Sequence, residues 1–479
     1  MSLEGLGGVS SRRGDDIGTE GQVRDELSVH HVPLEVIDPG GVEGLDLGAQ
    51  AGEVARQHRR DDRDGQGHAL TLARNSLGTV ANERTTITVR VDKVVAEGDG
   101  LGRLPDGRVV FVEGALPGES VHIEIVKQSR DYARARVVEV IEANPARTTP
   151  PCPNVVRGCG GCDLQHATPQ LQREIKVAIV RESLERLGRI DEPVVRLAPV
   201  DLPNERFRTT VRLAAASDGR VGFRRRRSHD VVVVDSCLVV RPTIDRVLSS
   251  IRLDGTDEVM VRVSVGDGTA VAWAEPDVVD GLDASVGRGP GAGIEEVVRG
   301  TRLRVSAASF FQSSPEAAAA LVERVTVALG DPAQWSEGPL VDAYGGIGLF
   351  AATIDTGGRA VVVVEANPAA CADARHNLAH RSARVVESTV EQWTPERAAA
   401  VVADPARDGL RAAGVATLVA TGAPVIALVS CDPASLGRDA RLLVDAGYDL
   451  EWCEVIDAFP HTHHVEAVSR FVRRGRMGS

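Results

Sequence analysis

The segment from Pro339 to Ile354 constrains the fold of this chain more than any other. A short apolar run ends in Asp342, glycines 345, 346 and 348 follow within four residues, and Leu349 to Ile354 resumes as a helix. Such an order reads as a parallel strand feeding a helix through a bare turn, where missing side chains let a ligand approach the backbone. The next apolar run, Ala360 to Val364, ends in Glu365, seventeen residues beyond Gly348. An acid there is placed to accept hydrogen bonds from ribose hydroxyls. The glycines do not make GxGxxG, so a dinucleotide is weakly indicated. Taken alone, the loop fits either a nucleotide-type ligand or a tight turn.

Two further apolar strands carry reactive residues at their ends. Ala399 to Ala403 leads into Asp404-Pro405-Ala406-Arg407, and Ala423 to Val429 leads into Ser430-Cys431-Asp432-Pro433. Each acid by itself would serve as a helix cap or turn former. Asp342, Glu365, Asp404 and Cys431 in succession are instead expected on one rim, since open α/β sheets bind ligands outside the carboxyl ends of their strands. Thirty-five residues beyond Cys431 the segment Phe459-Pro460-His461-Thr462-His463-His464-Val465 ends in Glu466. The pair supplies a thiolate nucleophile and a carboxylate base.

From Thr85 to the C-terminus the chain resembles the RNA uracil-C5 methyltransferases, which make 5-methyluridine in transfer and ribosomal RNA with S-adenosylmethionine. The resemblance implies that Cys431, in the SCNP-type segment, attacks C6 of uracil and that Glu466, closing the FPHTxHvE segment, removes the C5 proton. It also implies cofactor contacts from Gln312 of the FFQ segment, Tyr344 of the glycine loop and Glu365, with Asp404 of the DPxR segment lining the same pocket. The implied fold is α/β, with a C-terminal Rossmann-like class I methyltransferase domain. Two positions depart from the family pattern, which has Asn where Asp432 stands and Cys where Gly345 stands. A further family contact, an Asn after the third strand, has no clear match near Ser388 and Thr389.

The chemistry requires these residue types. Uracil C5 is a poor nucleophile, and thiolate addition at C6 turns it into an enolate carbon able to accept a methyl group. A base must then remove the C5 proton so that the thiolate can leave. Burial raises a thiol's pKa and a positive neighbour lowers it, so Asp432 adds negative charge where thiolate has to form.

Cys152, Cys159 and Cys162 lie close together among prolines and glycines, and Cys237 follows after the apolar run Val231 to Val234. Four soft ligands in that order can close a tetrahedral cage. In the ribosomal-RNA branch of the resembled family such cysteines hold a [4Fe-4S] cluster, although the first gap here is one residue longer. Zinc is the rival metal. Seven cysteines in 479 residues point to a reducing cytoplasm rather than a disulfide framework. Cys371 and Cys453 read as ordinary buried thiols.

Nearer the N-terminus, alternating residues from Ile87, the turn Pro105-Asp106-Gly107, and runs Arg108 to Val112 and Val121 to Val126 predict a small β-barrel. This stretch resembles the RNA-binding TRAM domain, with Lys127, Arg130, Arg134 and Arg136 placed to contact phosphates. A helix is expected from about Gln170 to Leu187, with strands near Phe207 to Leu213 and Val231 to Val234. The four arginines Arg224 to Arg227 between those strands read as a phosphate grip or as a solvated loop.

The expected domains are therefore a TRAM-like barrel over 85–145, a cluster-binding and central α+β segment over 146–300, and the methyltransferase domain over 301–479. Residues 1–84, without periodicity, are read as a disordered or mis-annotated extension. The net charge of −13 disfavours long-range attraction to nucleic acid, leaving RNA binding to local basic patches. No stretch is long and apolar enough to cross a membrane. The expected protein is a monomeric cytoplasmic enzyme acting on RNA, ribosomal in preference to transfer RNA. The alternative is a non-catalytic RNA-binding or ribosome-assembly factor with an idle methyltransferase domain.

Overall fold

The structure is a computed structural model that describes residues 87–475 except Val278. The expectation for residues 1–84 lies outside that range. Strands β1 (Ile87–Val94), β2 (Gly100–Arg103), β3 (Val109–Glu113), β4 (Ser120–Gln128) and β5 (Tyr132–Glu142) close into a barrel in the order β1-β2-β3-β5-β4. Val89, Val91, Val110, Val112, Val121, Ile123, Ala133 and Ala135 fill it, consistent with the alternation seen in the sequence. The predicted turn at Pro105 to Gly107 joins β2 to β3, with Gly107 at φ 88°.

The cysteine-bearing loop that follows contains one short helix, α1 (Pro153–Val156), and leads into α2 (Pro169–Arg186). Thr168 caps α2 by accepting a hydrogen bond from Leu171 N, and Pro169 occupies its first turn, where no donor is lost. Strand β6 (Val195–Leu197) comes next. The central domain holds β7 (Thr210–Ala215), β8 (Val221–Arg224), β9 (Val231–Val233), α3 (Pro242–Ser250), β10 (Arg252–Leu253), β11 (Glu258–Val263), β12 (Ala270–Trp273), β13 (Val279–Asp280) and β14 (Gly287–Arg288). Six of these strands form one sheet, β14-β12-β11-β7-β8-β9. The strand expected from Phe207 begins three residues later, because Arg208 N and Thr209 N donate to Val239 O and Ser313 O rather than into the sheet.

After the hairpin β15 (Gly293–Val298) and β16 (Thr301–Ser306), helix α4 (Pro315–Leu329) enters the C-terminal α/β layer. There β17 (Leu340–Ala343), α5 (Leu349–Thr353), β18 (Val361–Glu365), α6 (Pro368–Asn377), β19 (Ala383–Glu387), β20 (Ala400–Ala403), α7 (Arg411–Ala420), β21 (Val425–Ser430), α8 (Pro433–Asp445), β22 (Tyr448–Ile456) and β23 (Glu466–Arg473) alternate. The sheet order is β19-β18-β17-β20-β21-β23-β22-β6. Strands β17 to β21 are mutually parallel and β23 is antiparallel to β21. Every residue of β17, β20 and β21 is buried, which is why those strands read as unbroken apolar runs.

Two elements from the central part of the sequence belong physically to this layer. Strand β6 pairs with β22 at the sheet edge. Helix α2 sends Val180 and Leu184 into the core shared with Leu436 and Ala440 of α8. The helices approach closely at Gly437, where a Cβ would stand 2.6 Å from Ser183 O.

Candidate active site

The glycine loop is built as the sequence suggested. Tyr344, Gly346 and Gly348 have φ of 58°, 53° and 79°, so the chain turns through the left-handed region three times in five residues. Gly345 is also required sterically, since a Cβ there would lie 2.6 Å from Val363 Cγ1. Asp342 is fully buried. Its Oδ2 accepts from Ala351 N at 2.9 Å, its Oδ1 has no partner, and burial pushes its carboxyl well above the usual range. Glu365, one strand over, accepts from Gly346 N at 2.9 Å and Asn367 N at 2.7 Å, and so fixes the loop. The Tyr344 hydroxyl donates to Glu391 Oε1 at 2.6 Å. Glu391 was not foreseen, and it lies just beyond Ser388 and Thr389, where the sequence left a contact unassigned.

The reactive residues meet on the adjoining part of the rim. Asp404 follows β20, Cys431 follows β21, and Glu466 opens β23, whose antiparallel course sets Ala467 opposite Ser430. Gln312 Nε2 donates to Asp404 Oδ2 at 3.2 Å. Burial raises the Cys431 thiol well above its ordinary pKa, and the nearby Glu466, Asp404 and Asp432 charges raise it further while Arg407 opposes them. Burial also drives Glu466 well upward, with Asp404 adding to the effect and Arg407 opposing it. Burial lifts Asp404 to about 7. The pocket thus holds several acids and a thiol that cannot all ionise together.

Asp432 has a structural use besides its charge: its side chain caps α8 by accepting from Ser435 N at 2.7 Å. Arg407 is the residue missed in assigning roles, although its place in the DPxR segment was visible. Its Nε is buried without a partner, and its Nη2 lies 3.4 Å from His464 Nδ1. Burial and neighbouring cations hold the His464 imidazole neutral, and Arg407 is the cation whose charge acts on both nucleophile and base.

All four expected ligands converge on one region. Cys152 is buried, and Cys159, Cys162 and Cys237 pack partly buried against the central core. Asn154 Nδ2 donates to Ser236 O at 2.8 Å, tying the first cysteine segment to the last. Burial raises Cys159 to about 11, with the Cys237 and Cys152 charges adding to it. Cys162 and Cys237 are raised the same way. Mutually repelling buried thiols suit a positive centre placed among them. Among the described residues no group of three or more His, Cys, Asp or Glu side chains is close enough to hold a metal ion as placed.

The arginine run is engaged within the molecule. Arg226 and Arg227 pair with Asp99 at 3.0 and 2.6 Å, Arg227 also with Glu97 at 3.2 Å, and Arg224 with Glu258 at 3.1 Å. Arg134 joins the same carboxylates at 2.9 Å each, and Arg136 pairs with Glu124. Arg226 and Arg227 therefore fasten the barrel loop Glu97-Gly98-Asp99 to the central domain, while Arg134 and Arg136 pair within the barrel and Arg224 within the central sheet.

The sheet order and the rim of strand-end acids define a class I methyltransferase fold. The tRNA (uracil-54, C5)-methyltransferase of Pyrococcus abyssi, solved with S-adenosyl-L-homocysteine, superposes with a TM-score of 0.61 over 80% of this chain and all of that one, at 23% identity. Residues 80–138 match the TRAM domain family. An uncharacterized RNA methyltransferase of Streptomyces avermitilis is 33% identical over 80% of this chain and 96% of its own. The 23S rRNA (uracil(1939)-C(5))-methyltransferase RlmD of Chromohalobacter salexigens is 30% identical over 84% and 93%. The chain belongs to the RNA uracil-C5 methyltransferase family.

Proposed function

We propose that this enzyme methylates C5 of a uridine in structured RNA through a covalent adduct on Cys431. The observation that carries the reading is the meeting of Cys431 and Glu466 at adjacent ends of β21 and β23, beside Asp404 and Arg407. The Cys431 thiolate would add to C6, the electron pair would move to C5, and C5 would take the methyl as its bond to the donor sulfonium breaks, the donor leaving as a neutral thioether. Glu466 then removes the C5 proton, and the returning electron pair expels the thiolate. The Cys431 proton must leave before attack, and Arg407 is the neighbouring charge that favours its loss. Since the nucleophile sits partly buried at the end of β21, the target base must swing out of its stack to reach it.

S-adenosylmethionine would supply the methyl. Glu365, Tyr344, Gln312 and Asp404 would hold it, and the Asp342 to Gly348 turn leaves backbone uncovered for it. The S-adenosyl-L-homocysteine in the Pyrococcus structure supports that choice. Cys152, Cys159, Cys162 and Cys237 would hold a [4Fe-4S] cluster. Their all-thiol set and the mutual influence of Cys159, Cys237 and Cys152 support that reading, with zinc as the rival. The reaction transfers no electrons, so the group serves to shape the loop.

The RlmD relative supports ribosomal RNA as the substrate. Incubating the protein with radiolabelled S-adenosylmethionine and undermodified ribosomal or transfer RNA, followed by nucleoside analysis, tests both points. Label in 5-methyluridine from 23S rRNA is expected. Label only in transfer RNA would overturn the substrate, and label in another nucleoside would overturn the chemistry.

A further inference from the structure

Several segments distant in sequence meet over the loop that delivers Glu466. Asp163, which directly follows Cys162, accepts from His463 N through Oδ1 at 2.9 Å and bonds the His463 ring Nδ1 through Oδ2. The backbone N–H groups of Asp163 and Leu164 both donate to His461 O, at 3.0 and 2.9 Å. From helix α2, Gln172 Oε1 accepts from His461 N at 2.7 Å, and Lys176 Nζ donates to Phe459 O at 2.8 Å. His461 has φ 68°, a conformation that a non-glycine residue keeps only where its surroundings impose it. Gly98, at the tip of the barrel loop, closes the junction; a Cβ there would lie 3.0 Å from His463 Cβ and 3.1 Å from Asp163 Oδ2.

We propose that Asp163 is a positioning residue for proton removal: it clamps the His461 to His463 turn so that Glu466, three residues on, stays aimed at the reacting carbon. This rests on the role given to Glu466 above. The backbone half of the clamp would work with any residue at 463. The ring half needs the imidazole of His463, whose Nδ1 bonds Asp163 Oδ2. The cysteine loop and the catalytic base are thereby joined by side-chain bonds, and whatever orders Cys162 also orders the base.

Displacing a reacting group by about 1 Å can cost on the order of 100-fold in rate. Asp163→Ala should therefore lower kcat by about 10- to 100-fold and lengthen the life of the covalent RNA adduct in single turnover. Its KM for S-adenosylmethionine and affinity for S-adenosylhomocysteine should stay within about twofold of wild type. Asp163→Asn, which still accepts from His463 N and can donate to a neutral ring, should recover most of the rate. His463→Ala keeps the backbone bond and should lose less than Asp163→Ala.

The clamp is overturned by a normal kcat in Asp163→Ala, by equal damage in Asp163→Asn, or by loss of S-adenosylhomocysteine affinity in step with kcat. If Asp163→Ala does not fold, adduct lifetime in His463→Ala decides: a longer life supports the clamp and an unchanged one overturns it. Wild-type protein that traps no 5-fluorouridine RNA overturns the covalent reading and the clamp together. Trapping by wild type with a normal Asp163→Ala overturns the clamp alone.

Discussion

Gln312 Nε2 donates to Asp404 Oδ2 across 3.2 Å, giving a neutral partner to a carboxyl that burial lifts to about 7. A sulfonium cation bound beside Asp404 would favour its ionised form. Protons should then leave as S-adenosylmethionine binds, and affinity should climb as pH rises toward 7 and level off above it. Neutral S-adenosylhomocysteine should show a weaker trend. Calorimetry in buffers of differing ionisation enthalpy reads the proton release directly, and equal proton counts for both ligands would refute the placement.

The same acid makes the ligand-free protein less stable at higher pH. Asp404 has a folded-state pKa above its unfolded value, so folding takes up a proton between about pH 4 and 7. Its contribution is full below the unfolded pKa and is lost as pH rises through 7. Asp404→Asn should gain thermal stability over wild type at pH 8 and gain less at pH 5. A difference between the two proteins that does not vary with pH would contradict this.

Nucleophile and base should fail differently. Cys431→Ala should lose turnover by on the order of 1,000-fold or more while still binding S-adenosylhomocysteine. Glu466→Gln should transfer the methyl and then stall, accumulating a denaturation-resistant protein–RNA species. Gel shift under denaturing conditions separates the outcomes; free product from Glu466→Gln at the normal rate would remove it as the base.

Asp99 is almost fully buried and carries Arg134, Arg226 and Arg227. Asp99→Ala removes the buried carboxylate that Arg226 pairs with and leaves Arg134 and Arg227 only Glu97 to share, which should cost about 3 kcal/mol. A lower denaturation midpoint is expected. An unchanged midpoint would mean that solvent replaces those pairs.

Protein purified without oxygen should carry iron and inorganic sulfide in equal amounts, and Cys162→Ser should lose both. One zinc per chain without sulfide would select the rival cage.

The strand-end residues were legible because fully buried parallel strands read as unbroken apolar runs, and Asp342, Glu365, Asp404 and Cys431 each stand where such a run stops. The meeting of Cys431 with Glu466 came from the family resemblance; the sequence alone does not reveal that β23 runs antiparallel between β21 and β22. The arginine run was visible as charge, but its partners Glu97 and Asp99 lie about 130 positions earlier. Lys176, with no exposed surface, and Gln172 were hidden by their type, since a helix position with Lys or Gln ordinarily faces water. Strand β6 is only three residues long, too short for periodicity to show.

The position of β23 also bears on how the enzyme is made. It is the last strand in the described chain, yet it sits inside the sheet rather than at its edge. Synthesis that stops between Cys431 and Glu466 leaves a chain with the nucleophile but no base, and with β21 exposing an unpaired edge suited to aggregation. Aborted synthesis therefore yields inert material for proteolysis instead of an enzyme able to trap RNA and release it.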